Sequence, residues 1–322
     1  MTERITVRDN PWRSFIGIAT FATLAMTLAT VWDQNVTAFL AKHRWPAFTT
    51  IMGRTVFEGE LPGANDPLIL LLLAAIIVYT LSWRNTGHDK WLKYRPHSGF
   101  ILIAALAIAV LMTNGLKLSM GRARPDLVFH HQWPFTPWFA FGSHFIGNGP
   151  YRGSFPSGHT SQAFAAMALA YVLIADPRFN VKVRALGWLW GMFTILTSIS
   201  MGVARCMSSS HWLTDVVGAV CFGWLIMHWL YYWLFFVPEQ RNYIVTQGEF
   251  PHLPRKWELQ IGGLMVLTTL GLFFFINGIR AVILQNTLWL AIFVPMGAWM
   301  IFWTVKKIGL IRQTVRGKLD LP

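Results

Sequence analysis

An all-α, polytopic membrane bundle is the fold class this sequence predicts, and three observations predict it. Of the 322 residues, 54% are hydrophobic and only 13% charged, and the mean hydropathy is +0.44, which is too apolar for a water-soluble core. Apolar windows of bilayer length recur eight times along the chain. The basic residues behind the formal net charge of +13 sit in short segments between those windows. There they orient a membrane protein, and nucleic acid is not an expected partner.

The eight windows fall at 15–32, 66–83, 98–116, 159–175, 185–204, 212–237, 259–279 and 284–304. Each lacks Lys, Glu and Arg except at its edges. The first follows Arg4, Arg8 and Arg13 and reads as an uncleaved anchor, because the run is long and no soluble domain follows it. Val36–Pro62 mixes aromatics with Lys42, Arg44, Arg54, Glu58 and Glu60, so it reads as an interfacial stretch with a surface helix. The sixth window carries His228, and no charge is expected well inside any span. With the N-terminus inside, 18 Lys and Arg lie on the inner side and 9 on the outer, which puts both termini in the cytoplasm. Cys206 and Cys221 are fifteen residues apart along one helical stretch, beyond bridging distance.

Three short blocks stand at span ends on the outer side, and each holds groups suited to an anion. Lys117 closes the third window, and Arg124 with Pro125 follows seven residues on. An Arg offers a planar fork to phosphate oxygens and a Lys a point charge. Arg122, between them, reads as a helix-end anchor to lipid headgroups. Pro156-Ser157-Gly158-His159 opens the fourth window. The helix N-terminus supplies N–H groups, Gly158 lets an anion approach closely, and Ser157 adds a hydroxyl. His159 has the pKa range of a general acid. The bland alternative for this block is a helix cap followed by a packed histidine.

In the third block Arg205 precedes His211 and Asp215, which are four residues apart. On a helix that spacing stacks them on one face, so the carboxylate orients the imidazole and leaves its other nitrogen free to attack phosphorus. An acid at the start of a membrane span is costly unless paired, although a helix-start carboxylate is also favoured by the dipole. His130, His131 and His144 lie in the long segment 118–158, but no nearby carboxylate or Cys completes a ligand set, and no metal is expected. The same segment carries Trp133, Phe135, Trp138, Phe139, Phe141 and Phe145. They suit an aromatic belt at the membrane surface or a wall for a lipid chain.

Together the three blocks resemble the signature of the type 2 phosphatidic acid phosphatase superfamily: Lys-x6-Arg-Pro, Pro-Ser-Gly-His and Ser-Arg-x5-His-x3-Asp. The resemblance covers residues 98–237 and implies a six-helix core. The chain would then divide into a catalytic membrane domain, 1–258, and two additional C-terminal transmembrane helices with a basic tail, 259–322, whose expected role is packing. It also implies that His211 attacks phosphorus, His159 protonates the leaving group and Asp215 orients His211. Lys117, Arg124, Ser157, Gly158 and Arg205 would hold the phosphate, with no cofactor. Ala204 departs from the pattern, standing where the family has Ser before the Arg.

The expected substrate is a membrane-embedded lipid phosphate or diphosphate: a polyprenyl diphosphate, phosphatidylglycerophosphate, a lipid A phosphate or phosphatidic acid. The expected location is a bacterial inner membrane with the site facing the periplasm. Phosphate transfer to a second lipid and, in a different class, lipid transport are the competing readings, with a luminal sugar phosphate as a further substrate. A transporter should show ionisable residues deep inside its spans. The sequence does not decide the oligomeric state.

Overall fold

The structure is a computed structural model and describes residues 10–54, 66–83, 91–144, 151–176, 179–247, 253, 256–284 and 287–319. Among these residues every regular element is helical. Helix α1 (Pro11–Lys42) starts where the Asn10 side chain accepts from the Trp12 N–H at 3.0 Å with Pro11 in the first turn. Helix α2 (Pro46–Gly53) is short, and α3 (Asp66–Leu81) follows. Helix α4 (Arg95–Ala105) runs through a π-helical segment (Leu106–Met112) into α5 (Thr113–Met120). After α6 (Pro125–His131) come α7 (Gly158–Ala165) and α8 (Ala168–Ala175), then α9 (Val181–Met207). Helix α10 (Leu213–Trp229) continues through a π turn (Leu230–Leu234) toward α11 (Val237–Gln247). Helices α12 (Trp257–Leu284) and α13 (Phe293–Lys318) close the chain.

Each of the eight predicted windows holds a helix, and among the described residues seven helical stretches are long and apolar enough to cross a membrane. The protein is therefore a multi-pass membrane protein. The 16-residue α3 spans about 24 Å, short of a hydrocarbon core of ~30 Å. Two windows differ in form from the expectation. The first continues to Lys42, so the start of the supposed interfacial stretch is the last turns of α1. Asp33 and Thr37, in the part of α1 beyond the predicted window, are buried against the protein. Residues 55–62 of that stretch lie outside the described residues. The fourth window is broken into α7 and α8 at Ala166–Met167, where Trp190 Nε1 donates to the Ala166 carbonyl at 2.8 Å.

Helix α1 packs along α10, α7 lies against α9 and α10, and α2 rests on α9. The core between them holds Phe100, Ile108, Phe164, Met227, Leu230 and Tyr231, all fully buried. Helix α12 packs along α13 and also against α5 and the π segment. The two close on each other at Gly271 and Gly297, where any Cβ would press on the opposite backbone. Polar groups are buried at both ends of the bundle. At one end Arg95 meets Glu258 at 3.3 Å, and Arg241 meets Asp176 at 2.8 Å. The other end gathers the last turns of α5 and α9 and the first turns of α7 and α10, and there the three blocks converge.

Candidate active site

Main-chain hydrogen bonds stitch the three blocks together before any side chain is considered. Gly153 N–H donates to the Lys117 carbonyl at 3.2 Å and Ser154 N–H to the Arg122 carbonyl at 2.9 Å, tying the first block to the approach of the second. Ser157 N–H donates to the Asp215 carbonyl at 2.9 Å, and Asp126 N–H to the Ser209 carbonyl at 2.9 Å. Trp212 Nε1 donates to the Ala123 carbonyl at 2.8 Å. The reversal after α5 needs Gly121, which takes a left-handed φ of 60° against the His144 carbonyl and leaves no room for a Cβ.

Lys117 is buried, and its ammonium donates to the carbonyls of Gly153 and Ser154 at 3.1 and 3.0 Å. An ammonium has three donors, so one remains for a ligand. Gly158 lies against the Lys117 stem, where a Cβ would come within 3.7 Å of Cε. Ser157 is the N-cap of α7: its hydroxyl oxygen accepts from the Thr160 N–H at 3.4 Å and the Thr160 hydroxyl at 2.9 Å. Arg124, half-buried, precedes α6, and Arg205, half-buried, sits in the last turn of α9. Lys117, Arg124, Arg152 and Arg205 all lie within electrostatic range of the half-buried His159. Arg152 stands at the rim, exposed, with its guanidinium on the Asn114 side-chain oxygen at 2.8 Å.

His211 is buried, with Nδ1 3.3 Å from Asp215 Oδ2. The pair does not sit on one helical face as its spacing predicts. Trp212 is extended (φ −80°, ψ 160°) and α10 begins only at Leu213, so His211 stands before the helix. Asp215, in the first turn, folds back and accepts from the Trp212 N–H at 2.8 Å with the oxygen that faces His211. Helix-start capping and orientation of the imidazole are thus done by one carboxylate. Burial, with Lys117 and Arg205 close by, holds the His211 imidazole well below the ordinary histidine range, while Asp215 acts in the opposite sense. The ring is therefore neutral at neutral pH, and the proton on Nδ1 leaves Nε2 with a free lone pair.

Arg122 overturns its reading as a lipid anchor. It is wholly buried, donating to Asp215 Oδ1 at 2.6 Å, Asp33 Oδ2 at 2.6 Å, Thr214 Oγ1 at 2.8 Å and the Thr136 carbonyl at 2.8 Å. Asp33, from α1, also accepts from the Thr214 N–H at 2.9 Å, and Thr37 Oγ1 accepts from the Leu213 N–H at 3.1 Å. Arg280, on α12, donates to the carbonyls of Ser119, Gly142 and His144. Asp33 and Arg280 sit within the long helices α1 and α12, toward the end of the bundle where the three blocks meet. Each stood one residue outside its predicted window, and only the folded chain shows what it meets. His228 bonds the Pro11 carbonyl at 2.9 Å and the Tyr171 hydroxyl at 3.2 Å.

The aromatic segment is divided between protein contacts and exposed positions. Phe135 packs edge-on to Trp212, and Trp138 stacks on Phe155 while its indole N–H donates to Thr30. Phe139 and Phe141 are exposed, and Phe145 lies outside the described residues. His144 packs on Trp133 and Tyr151, whereas His130 and His131 are exposed. Ala204 is buried, and its carbonyl accepts from the Ser208 N–H and hydroxyl.

A multi-helix membrane protein whose cations, helix N-terminus and oriented histidine converge at one end of the bundle is the class that fold and site define. Residues 98–239 match the family model of the PAP2 superfamily. The chain is similar to lipid A 1-phosphatase of Rhizobium etli, 33% identical over 130 residues, or 39% of this chain and 45% of that protein. It is 34% identical to the protein of the same name from Rhizobium johnstonii over 130 residues, 39% of this chain and 43% of that one. The Porphyromonas gingivalis protein of that name is 29% identical over 178 residues, 52% of this chain and 32% of that one. The matches span less than half the length of these curated relatives. No solved structure matches the chain.

Proposed function

We propose that this protein is a phosphatase that hydrolyses a phosphate ester of a membrane lipid through a phosphohistidine on His211. The observation that carries the reading is the buried His211–Asp215 pair at the foot of a cradle of cations and a helix N-terminus. Lys117, Arg124, Arg205, Ser157 and the first N–H groups of α7 hold the phosphate oxygens and balance the charge that builds on them. Nε2 of His211 forms a bond to phosphorus as the bond to the lipid oxygen breaks, and His159 gives that oxygen a proton. Water then attacks the phosphohistidine, returns a proton to His159 and frees His211.

A lipid substrate is favoured by the apolar surroundings. One cavity of about 490 Å³ runs between α1 and α10 up to Trp138 and Phe139. A second of about 490 Å³ lies between α5 and the last two helices and reaches Leu116 and Ser119, on either side of Lys117. The relatives bear the name lipid A 1-phosphatase, so a phosphorylated glycolipid heads the candidates, followed by polyprenyl diphosphate, phosphatidylglycerophosphate and phosphatidic acid. The loop charges favour a site on the side away from the cytoplasm, and the bacterial relatives favour an inner membrane with that side facing the periplasm.

The test is phosphate release by the purified protein and its His211→Ala variant, in detergent with chelator, across those lipids and glucose 6-phosphate. Release from a lipid by the wild type alone is expected. Release by both, or only from glucose 6-phosphate, would refute the reading, and release that requires a second lipid would make the enzyme a phosphotransferase.

A further inference from the structure

We propose that Asp33, on α1 and outside the segment that matches the superfamily, is a positioning residue: by compensating the Arg122 guanidinium it leaves the carboxylate beside His211 with an effective negative charge. The proposal rests on the phosphohistidine reading and assigns the first helix a part in it.

Arg122 sits between the two carboxylates, 2.6 Å from each, and none of the three side chains is more than 4% exposed. Two carboxylates and one guanidinium give the buried cluster a net charge of −1. With Arg122 and Asp215 alone the pair would be neutral, and in a low-dielectric interior it would exert little field on the imidazole. The charge matters because His211 changes charge during turnover. When Nε2 bonds to phosphorus and the lipid oxygen leaves with the proton of His159, the ring becomes cationic with its Nδ1–H on Asp215. When water displaces Nε2, it becomes neutral again. A cluster of net −1 stabilises that cation and the transition states on either side of it.

The other charged groups that face His211 are Lys117 from α5 and Arg205 from α9, with Arg124 and His159 nearby, and none of them is acidic. Asp33 therefore supplies the negative charge that Arg122 would otherwise take away. It also fixes where Asp215 points. Its Oδ1 accepts the Thr214 N–H and its Oδ2 the Thr214 hydroxyl at 2.7 Å, so α1 holds the first turn of α10, from which Asp215 extends.

The experiment compares wild type, Asp33→Asn, Arg122→Gln and the double variant, with His211→Ala as control. It reads kcat, KM, the pH profile and thermal unfolding in detergent. Asp33→Asn takes the cluster to zero charge: kcat falls about tenfold, the equivalent of one unit in the proton affinity of the ring, KM changes little, and the acid limb moves to lower pH. Arg122→Gln leaves a net −2 and moves the acid limb to higher pH. The double variant restores −1, brings the acid limb back toward that of the wild type and recovers kcat above the Asp33→Asn level.

Wild-type kcat in Asp33→Asn would overturn the proposal. So would a double variant no better than the worse single one, or acid limbs that move the same way in both single variants, since a merely structural role predicts those results. If Asp33→Asn does not fold, the acid limb of Arg122→Gln and its return in the double variant decide. A fully active His211→Ala, or no release by the wild type, brings down the reading of the site itself, and this proposal with it.

Discussion

Asp215 shows how much a single residue does here. One oxygen takes the Trp212 N–H and faces His211, while the other takes Arg122. Asp215→Asn keeps the shape and loses the charge, so turnover should fall by roughly 10²–10⁴-fold, with unfolding temperature as the check that the loss is chemical. The pH profile has a definite sign. In the proposed mechanism His211 must be neutral to attack, and its proton affinity is held below the ordinary range by burial and by Lys117 and Arg205. The acid limb due to His211 should therefore lie below the ordinary histidine range near pH 6.5, and a limb above that range would contradict the burial argument. In the proposed site Ser157 has two tasks, since its oxygen caps α7 while its hydroxyl would donate to the phosphate. Ser157→Ala should cost about 1 kcal/mol of stability and raise KM, read from denaturant or thermal unfolding beside kinetics.

Helices meet the site through their ends, and their spacing decides whether the ends align. Gly202, one turn before Arg205 on α9, lies against Val216, beside Asp215 on α10, with no room for a Cβ. Gly202→Ala should force α9 and α10 apart at the level of the site, costing roughly 1–3 kcal/mol and lowering kcat. Wild-type unfolding and kinetics in that variant would show that the contact yields freely. Helix α12 does more than the packing expected of it, because Arg280 clamps the carbonyls of Ser119, Gly142 and His144 beside the turn at Gly121. Arg280→Met should expose the segment near Gly142 to faster hydrogen exchange than the helices around it, and lower activity with it. Unchanged exchange there would mean that neighbouring contacts hold the loop without it.

Among the described residues the buried ion pairs gather toward the two ends of an apolar bundle, an arrangement that suits a surface enzyme. The proposed outward orientation can be tested with one substitution: Ser143→Cys, in an exposed position while both native cysteines are buried, should react with an impermeant thiol reagent added to intact cells. Labelling only after the membrane is opened would reverse the topology. The helical class and the eight apolar windows were legible because hydropathy and length are properties of local sequence. So were the three blocks, whose residue types and spacing are written in one dimension. The reach of α1 to Lys42 was not, since a buried Asp33 is distinguishable from an interfacial one only by its partner, 89 residues away. Nor was Arg122, which reads as a headgroup anchor until the fold surrounds it with two carboxylates. The same holds for the way Asp215 meets His211, across a helix start rather than along a helix face. Composition and motif order determined that this chain is a membrane bundle with three chemically distinctive blocks at its span ends. Tertiary structure alone decided which charges are buried and with whom they pair, because the free energy of a buried charge depends on neighbours that only folding brings within hydrogen-bond distance.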